Sequence, residues 1–162
     1  MRFVLTALLT VLSSLPAAAA ACNGREVTVN VYNAPICVPD KPQRIIALDT
    51  YFSLGMALEL GAPVIGAPLF GLEDKALEAR AKAASVADVG HSSQPSPERI
   101  IALKPDLILG DAFIHARAYD TASKVAPTAL VKVQNWRDYY ATVAAVTGRT
   151  GAADEAFKAY DK

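Results

Sequence analysis

The chain has 162 residues, and its 16 basic and 16 acidic side chains leave no formal net charge. Lys and Arg are scattered without a run, which excludes the basic face or arm that a nucleic-acid-binding protein carries. The length suits one domain with a real core and does not comfortably suit two.

Residues 1–20 stand apart from that domain. Met1-Arg2 gives a positive start, residues 3–15 are apolar, Pro16 ends any helix, and residues 17–21 are all Ala. The apolar run is too short to span a bilayer comfortably. This is the layout of a cleaved secretory signal peptide, with Ala18-x-Ala20 as the cleavage pair. Export places Cys22 and Cys37 in an oxidising compartment and favours a disulfide between them. Closing a loop of about 15 residues stabilises by on the order of 3 kcal/mol in the chain-entropy model. Lipidation of Cys22 is the competing reading. Lipoprotein signals usually carry Leu three residues before the cysteine, and Ala19 stands there, so the disulfide is preferred.

Val27, Val29 and Val31 alternate with Thr28, Asn30 and Tyr32, the period-two pattern of a half-buried strand. Asn33-Ala34-Pro35 turns the chain and Ile36-Cys37-Val38 returns antiparallel, giving a hairpin over 26–38. The pattern then changes. Residues 44–48 form a short apolar run, as in a strand buried on both faces. Asp49-Thr50 can cap a helix from Tyr51, with Leu54, Ala57 and Leu58 on one face and Gly61 ending it. Residues 64–66 make a second strand, 73–84 an exposed helix, and 86–89 an extended segment. Ser96-Pro97-Glu98 is a helix start, and Ile100, Ile101 and Leu103 are its expected buried side. Lys104-Pro105-Asp106 breaks it before a strand at 107–109. A helix over 112–126, Pro127 and a strand at 129–131 follow.

Short apolar strands alternating with helices predict an α/β fold with a parallel sheet and helices on both faces. Such sheets hold ligands at the carboxyl ends of their strands. That rule points to residues 49–51, 67–70, 91–94 and 110–111. From Trp136 the chain reads as helix almost to its end, apart from Gly148 and Gly151. Uninterrupted, about 26 residues would span roughly 40 Å.

Three segments carry a family resemblance: Pro42-Gln43-Arg44-Ile45-Ile46-Ala47-Leu48, Leu58-Glu59-Leu60-Gly61-Ala62-Pro63-Val64-Ile65-Gly66, and the run from Pro97-Glu98-Arg99-Ile100 to Leu107-Ile108-Leu109. They resemble the periplasmic solute-binding proteins of ABC importers for ferric siderophores, haem and cobalamin. The resemblance covers nearly all of the chain after the leader, and the third segment is the most specific. It implies a Rossmann-like lobe over 21–135, followed over 136–162 by the start of a long connecting helix. In such proteins that helix joins two lobes with the ligand between them; the second lobe is absent from this sequence. The implied function is capture of an iron-siderophore-type chelate and its delivery to an inner-membrane permease, with haem or cobalamin as the alternative cargo. No enzymatic activity, cofactor or resident metal is implied. By position, Glu98 matches the acid that docks on the permease. Thr50, Tyr51, Phe70, His91, Ser92 and Asp111 match cleft positions.

Blander readings stand beside these. Glu98 complements a helix N-terminus in any fold. His91 and His115 are the two histidines and are best read as surface or cleft-rim residues. Tyr119 suits the core, and Trp136 suits packing of the last helix. Gly90-His91-Ser92 partly matches a hydrolase nucleophile elbow, but Gln94 stands where that motif needs Gly. A small secreted enzyme using Asp49, His91 and Asp111 is the alternative from another class. A truncated remnant without function of its own is a third.

Overall fold

The computed structural model describes residues 22–133 and 135–162. The leader and its cleavage site lie outside the described residues. The chain opens with β1 (Arg25–Val27) and β2 (Ile36–Val38), paired antiparallel with Glu26 opposite Cys37. A disulfide joins Cys22 to Cys37, as expected. The first strand is shorter than its valine pattern predicts. Asn30 adopts a left-handed conformation at φ 61°, and Val29 is exposed. Val31 pairs instead with Val131, and Tyr32 N–H donates to the Leu130 carbonyl at 2.8 Å. One alternating run therefore serves two partners, and its second half covers an edge of the main sheet that would otherwise be open.

From there strands and helices alternate. β3 (Ile45–Ala47) leads into a π-helical turn (Thr50–Leu54) and α1 (Gly55–Glu59). β4 (Val64–Ala67), α2 (Lys75–Ala83) and β5 (Ala87–Asp88) follow. A small hairpin of β6 (Gly90–His91) and β7 (Gln94–Pro95) precedes α3 (Pro97–Ala102). Then come β8 (Leu107–Asp111), α4 (Ala112–His115), a 3-10 turn (Ala116–Ala118), α5 (Tyr119–Ala122) and β9 (Thr128–Val131). The central sheet has the order β5-β4-β3-β8-β9, and every neighbouring pair is parallel. Ile45, Ala47, Leu107 and Leu109 pack on one face against α1, while Ile46, Leu48, Ile108 and Leu130 pack on the other against α3. Burial on both faces explains why these strands read as continuous apolar runs.

Three helical expectations change. Ile101 is exposed, because Ile100 and Leu103 share the inward face at i, i+3 and Ile101 points away. The helix expected over 112–126 is three short pieces. Within α4 only Ala112 and His115 are buried, so no apolar stripe supports a longer helix. The third change is the largest. Residues expected to begin one long helix form α6 (Trp136–Thr147) and α7 (Thr150–Tyr160). Gly148 ends α6 at φ 71°, its N–H reaching the Ala145 carbonyl while Arg149 N–H reaches that of Ala144 at 2.7 Å. This is a glycine C-cap that reverses the chain. A Cβ on Gly148 would lie 2.8 Å from the Asp40 carbonyl oxygen. α7 returns along α6, so that the Trp136 and Tyr160 rings, at opposite ends of the sequence pair, sit 5.0 Å apart.

Arg25 ties the hairpin to this helix end. Its guanidinium donates to the carbonyls of Ala145, Val146 and Pro39. A cation on the last carbonyls of α6 also suits the helix dipole.

Candidate ligand-binding site

A parallel sheet gathers the carboxyl ends of its strands on one edge, and here each junction on that edge is built by a polar side chain that turns the backbone. At the end of β3, Asp49 is extended and buried. Its Oδ1 accepts the N–H groups of Phe52 and Ser53, both at 2.9 Å, and its Oδ2 accepts the Ser53 hydroxyl at 2.6 Å. A carboxylate so placed satisfies amides that the helix start leaves without partners. The result is directional: Thr50 and Ser53 are buried, while Tyr51 is 80 % exposed and Phe52 is 44 % exposed.

The adjacent strand repeats the device. Asp111, buried at the end of β8, accepts at Oδ1 from the N–H groups of Phe113 (2.8 Å) and Ile114 (3.1 Å). Phe113 and Ile114 are thereby exposed. His115 turns inward, its Nδ1 3.2 Å from the Asp111 carbonyl oxygen. It is buried rather than on the surface or the cleft rim, and its Nε2 has no hydrogen-bond partner among the described residues. It borders a small apolar cavity of about 90 Å³ beneath α3 and α5.

On the other side of β3, one carboxylate organises two loops. Asp88 Oδ1 accepts N–H groups from Leu69 (2.9 Å), Phe70 (3.3 Å) and Gly90 (2.9 Å), and Arg99 Nη1 lies 3.4 Å from Oδ2. Partial burial pushes this carboxyl up, but the amides of Gly90, Leu69 and Phe70 and the Arg99 charge outweigh it, and Asp88 titrates below the usual carboxylate range. The clamp holds Phe70, 70 % exposed, with its ring 6.3 Å from that of His91. His91 is exposed and accepts the Ser93 N–H at Nδ1, 3.2 Å away. Ser92 is half-buried at the tip of the β6–β7 hairpin.

Strand order converts these junctions into a row. Read along the edge, it runs from His91 and Phe70 through Tyr51 and Phe52 to Phe113 and Ile114, and ends at Trp136, which follows β9. Four inter-strand steps make the row about 19 Å long. Near its far end lies a depression of about 260 Å³, walled by Phe52, Phe113 and Trp136, with Asp111 and Tyr139 also lining it. Tyr139 is buried and its hydroxyl makes no well-aligned hydrogen bond among the described residues. Burial first, and then the nearby Asp49 and Asp111 charges, push its phenol well above the ordinary range and keep it protonated.

Of the positions matched by resemblance, Tyr51, Phe70 and His91 present exposed side chains to this edge, Asp111 lines the depression, and Thr50 is buried in the turn. Asp49, His91 and Asp111 do not form a catalytic cluster. The two carboxylates serve as helix caps on adjacent strands, and His91 lies beyond β5, at the far side of the row. Among the described residues, no three His, Cys, Asp or Glu side chains are placed to hold a metal ion.

Glu98 is exposed in the first turn of α3. Because α3 leads from the end of β5 back to the start of β8, its N-terminus belongs to the same edge. Its own backbone N–H and the Ser96 hydroxyl, 2.9 Å from Oε2, hold its carboxyl below the usual range. The sequence reading missed Asp88, Phe52, Phe113, Ile114 and Tyr139. Only Asp88 carried a local signal, an Asp two residues before a Gly, which is the grammar of a side-chain-closed turn.

The fold is thus an α/β lobe whose buried caps project aromatic side chains from the carboxyl edge of a parallel sheet. Residues 45–162 match the periplasmic binding protein family, and the chain belongs to that family. It is 33% identical over 148 residues to a putative ABC transporter substrate-binding lipoprotein, YhfQ, of Bacillus subtilis, covering 86% of this chain and 45% of the relative. It is 34% identical over 134 residues to the Fe(3+) dicitrate-binding periplasmic protein FecB of Escherichia coli, covering 83% of this chain and 42% of the relative. The fold superposes on the siderophore-binding protein BauB, solved with two acinetobactin molecules and ferric iron, at TM-score 0.71 and 28% identity, over 85% of this chain and 51% of that one. The chain thus spans about half the length of the proteins it matches or somewhat less.

Proposed function

We propose that this chain forms one lobe of an exported solute-binding protein of an ABC importer, which captures a ferric siderophore-type chelate and presents it to a membrane permease. The observation that carries this reading is the row of exposed aromatic side chains held on the sheet's carboxyl edge by buried caps. Exposed aromatic surface of this extent marks a binding surface, because it is costly to leave in water. Its rigid setting limits the ordering cost of binding. The iron-chelate partners named for the relatives support the cargo class. Tyr51, Phe70, His91, Ser92 and Asp111 face or border the ligand, Thr50 supports the turn, and Glu98 docks on a basic residue of the permease. The leader directs the protein to the periplasm, and the Cys22–Cys37 disulfide is consistent with that location.

A transport assay separates these roles. In a strain lacking its own binding protein, the full-length gene supports ferric-chelate uptake. Glu98→Ala abolishes uptake while leaving chelate affinity unchanged, and Phe70→Ala lowers affinity. Uptake and affinity falling together in Glu98→Ala contradicts a docking role.

A further inference from the structure

The depression at the β8–β9 end of the edge has a chemistry that the family assignment does not specify. Its walls include the rings of Phe52, Phe113 and Trp136, and Asp111 lines it from below. Asp111 spends one carboxylate oxygen, Oδ1, on the cap; the other takes no hydrogen bond from the described residues. Beside it the buried Tyr139 hydroxyl makes no well-aligned hydrogen bond among the described residues, although Ser53 and Asp111 lie close enough to act on it. Among the described residues, no Lys or Arg lines the depression. Two cations adjoin lining residues in sequence: Lys132, exposed beside Val133, and Arg137, which is occupied by Asp161 and by the rings of Trp136, Phe157 and Tyr160, its guanidinium carbon 5.1–5.2 Å from each centroid.

An anionic group entering this space would meet a carboxylate and three aromatic rings. A cation would meet the same groups as partners. Aromatic faces attract ammonium groups through the ring quadrupole, more strongly when water is excluded. An ammonium also carries the N–H donors that Asp111 Oδ2 and the Tyr139 oxygen lack. At about 260 Å³ the depression is smaller than pockets that enclose a whole small molecule, roughly 300–1,000 Å³, so it suits one arm of a larger ligand. We infer that the depression walled by Phe52, Phe113 and Trp136 over Asp111 is a subsite for a protonated amine, so that the chelates preferred by this protein carry a cationic arm beside the iron centre. This rests on the reading that the edge binds a ferric chelate.

The test uses a matched pair: the ferric trihydroxamate ferrioxamine B, which bears one terminal ammonium, and the same chelate with that amine acetylated. Trp136 is the sole tryptophan and sits in the subsite, so quenching of its fluorescence reports binding. The amine-bearing chelate is expected to bind about tenfold more tightly than the acetylated one. The preference shrinks in Asp111→Asn, where Asn keeps the helix cap but removes the charge. It shrinks also in Phe113→Ala, a change at an exposed side chain that leaves the core intact. Equal affinity for the two chelates overturns the cation subsite and leaves the chelate-binding reading standing. A preference that survives both substitutions overturns the assignment to this depression. If neither chelate binds while the protein is folded by circular dichroism, the broader reading falls and the subsite with it.

Discussion

Asp88→Ala tests whether the Phe70 and His91 loops are held as described. Three backbone N–H groups converge on Asp88 Oδ1, and Arg99 faces Oδ2. Hydrogen bonds to a charged acceptor contribute about 1.5–3 kcal/mol each when buried. The Asp88 side chain is 40% exposed, so water re-solvates the freed amides and the ion pair adds little. The net cost of Asp88→Ala is therefore about 1–2 kcal/mol rather than the sum of the bonds. For a domain of this size that lowers Tm by roughly 3–8 °C. The pH dependence is a sharper signature. The native carboxyl titrates below its ordinary value of 3.8, so its contribution is complete above that value and is lost as pH falls through the lower native one. Urea unfolding of both proteins should show a constant difference near neutral pH that shrinks as pH falls below 3.8. Amide exchange should quicken at Leu69, Phe70 and Gly90 in the variant. Unchanged stability and exchange at neutral pH, or a difference that persists undiminished in acid, would refute the clamp.

Other substitutions probe separate elements. Replacing Cys22 and Cys37 by Ser should cost about 3 kcal/mol in chemical denaturation, and reductant should have the same effect on the natural chain. Gly148→Ala forces a side chain into left-handed backbone and against the Asp40 carbonyl, and calorimetry should show a loss of about 1–2 kcal/mol. Tyr139→Phe removes a buried hydroxyl that makes no well-aligned hydrogen bond among the described residues, with Ser53 and Asp111 nearby, so stability should change by less than about 1 kcal/mol in urea unfolding.

The strands were legible in the sequence because burial on both faces leaves unbroken apolar runs such as residues 107–109. The caps at Asp49 and Ser96 were legible because capping is local, decided within four residues. Asp88 showed only its local turn to Gly90; its other two amides lie 18 and 19 residues earlier, and only the parallel pairing of β4 and β5 brings them to it. Nothing in the local sequence marks Phe52 and Phe113 as exposed. Their exposure follows from the caps, which fix which way the turn after each strand faces. Trp136 was expected to pack on the last helix. It does, against Phe157 and Tyr160, because α7 folds back at Gly148, and it also walls the depression. That reversal had a signal in Gly148, but helical periodicity on either side of a glycine does not say whether the axis continues or turns.

The central claim is that a ferric chelate meets this lobe along the carboxyl edge of its sheet. Amide chemical-shift mapping with a gallium(III) trihydroxamate, a diamagnetic stand-in for the ferric chelate, tests it most directly. The account predicts saturable shifts grouped at residues 50–52, 69–71, 90–93, 111–114 and 136, with α2 and the far end of α5 unaffected. Shifts centred elsewhere, or none on a folded protein at saturating chelate, would contradict it.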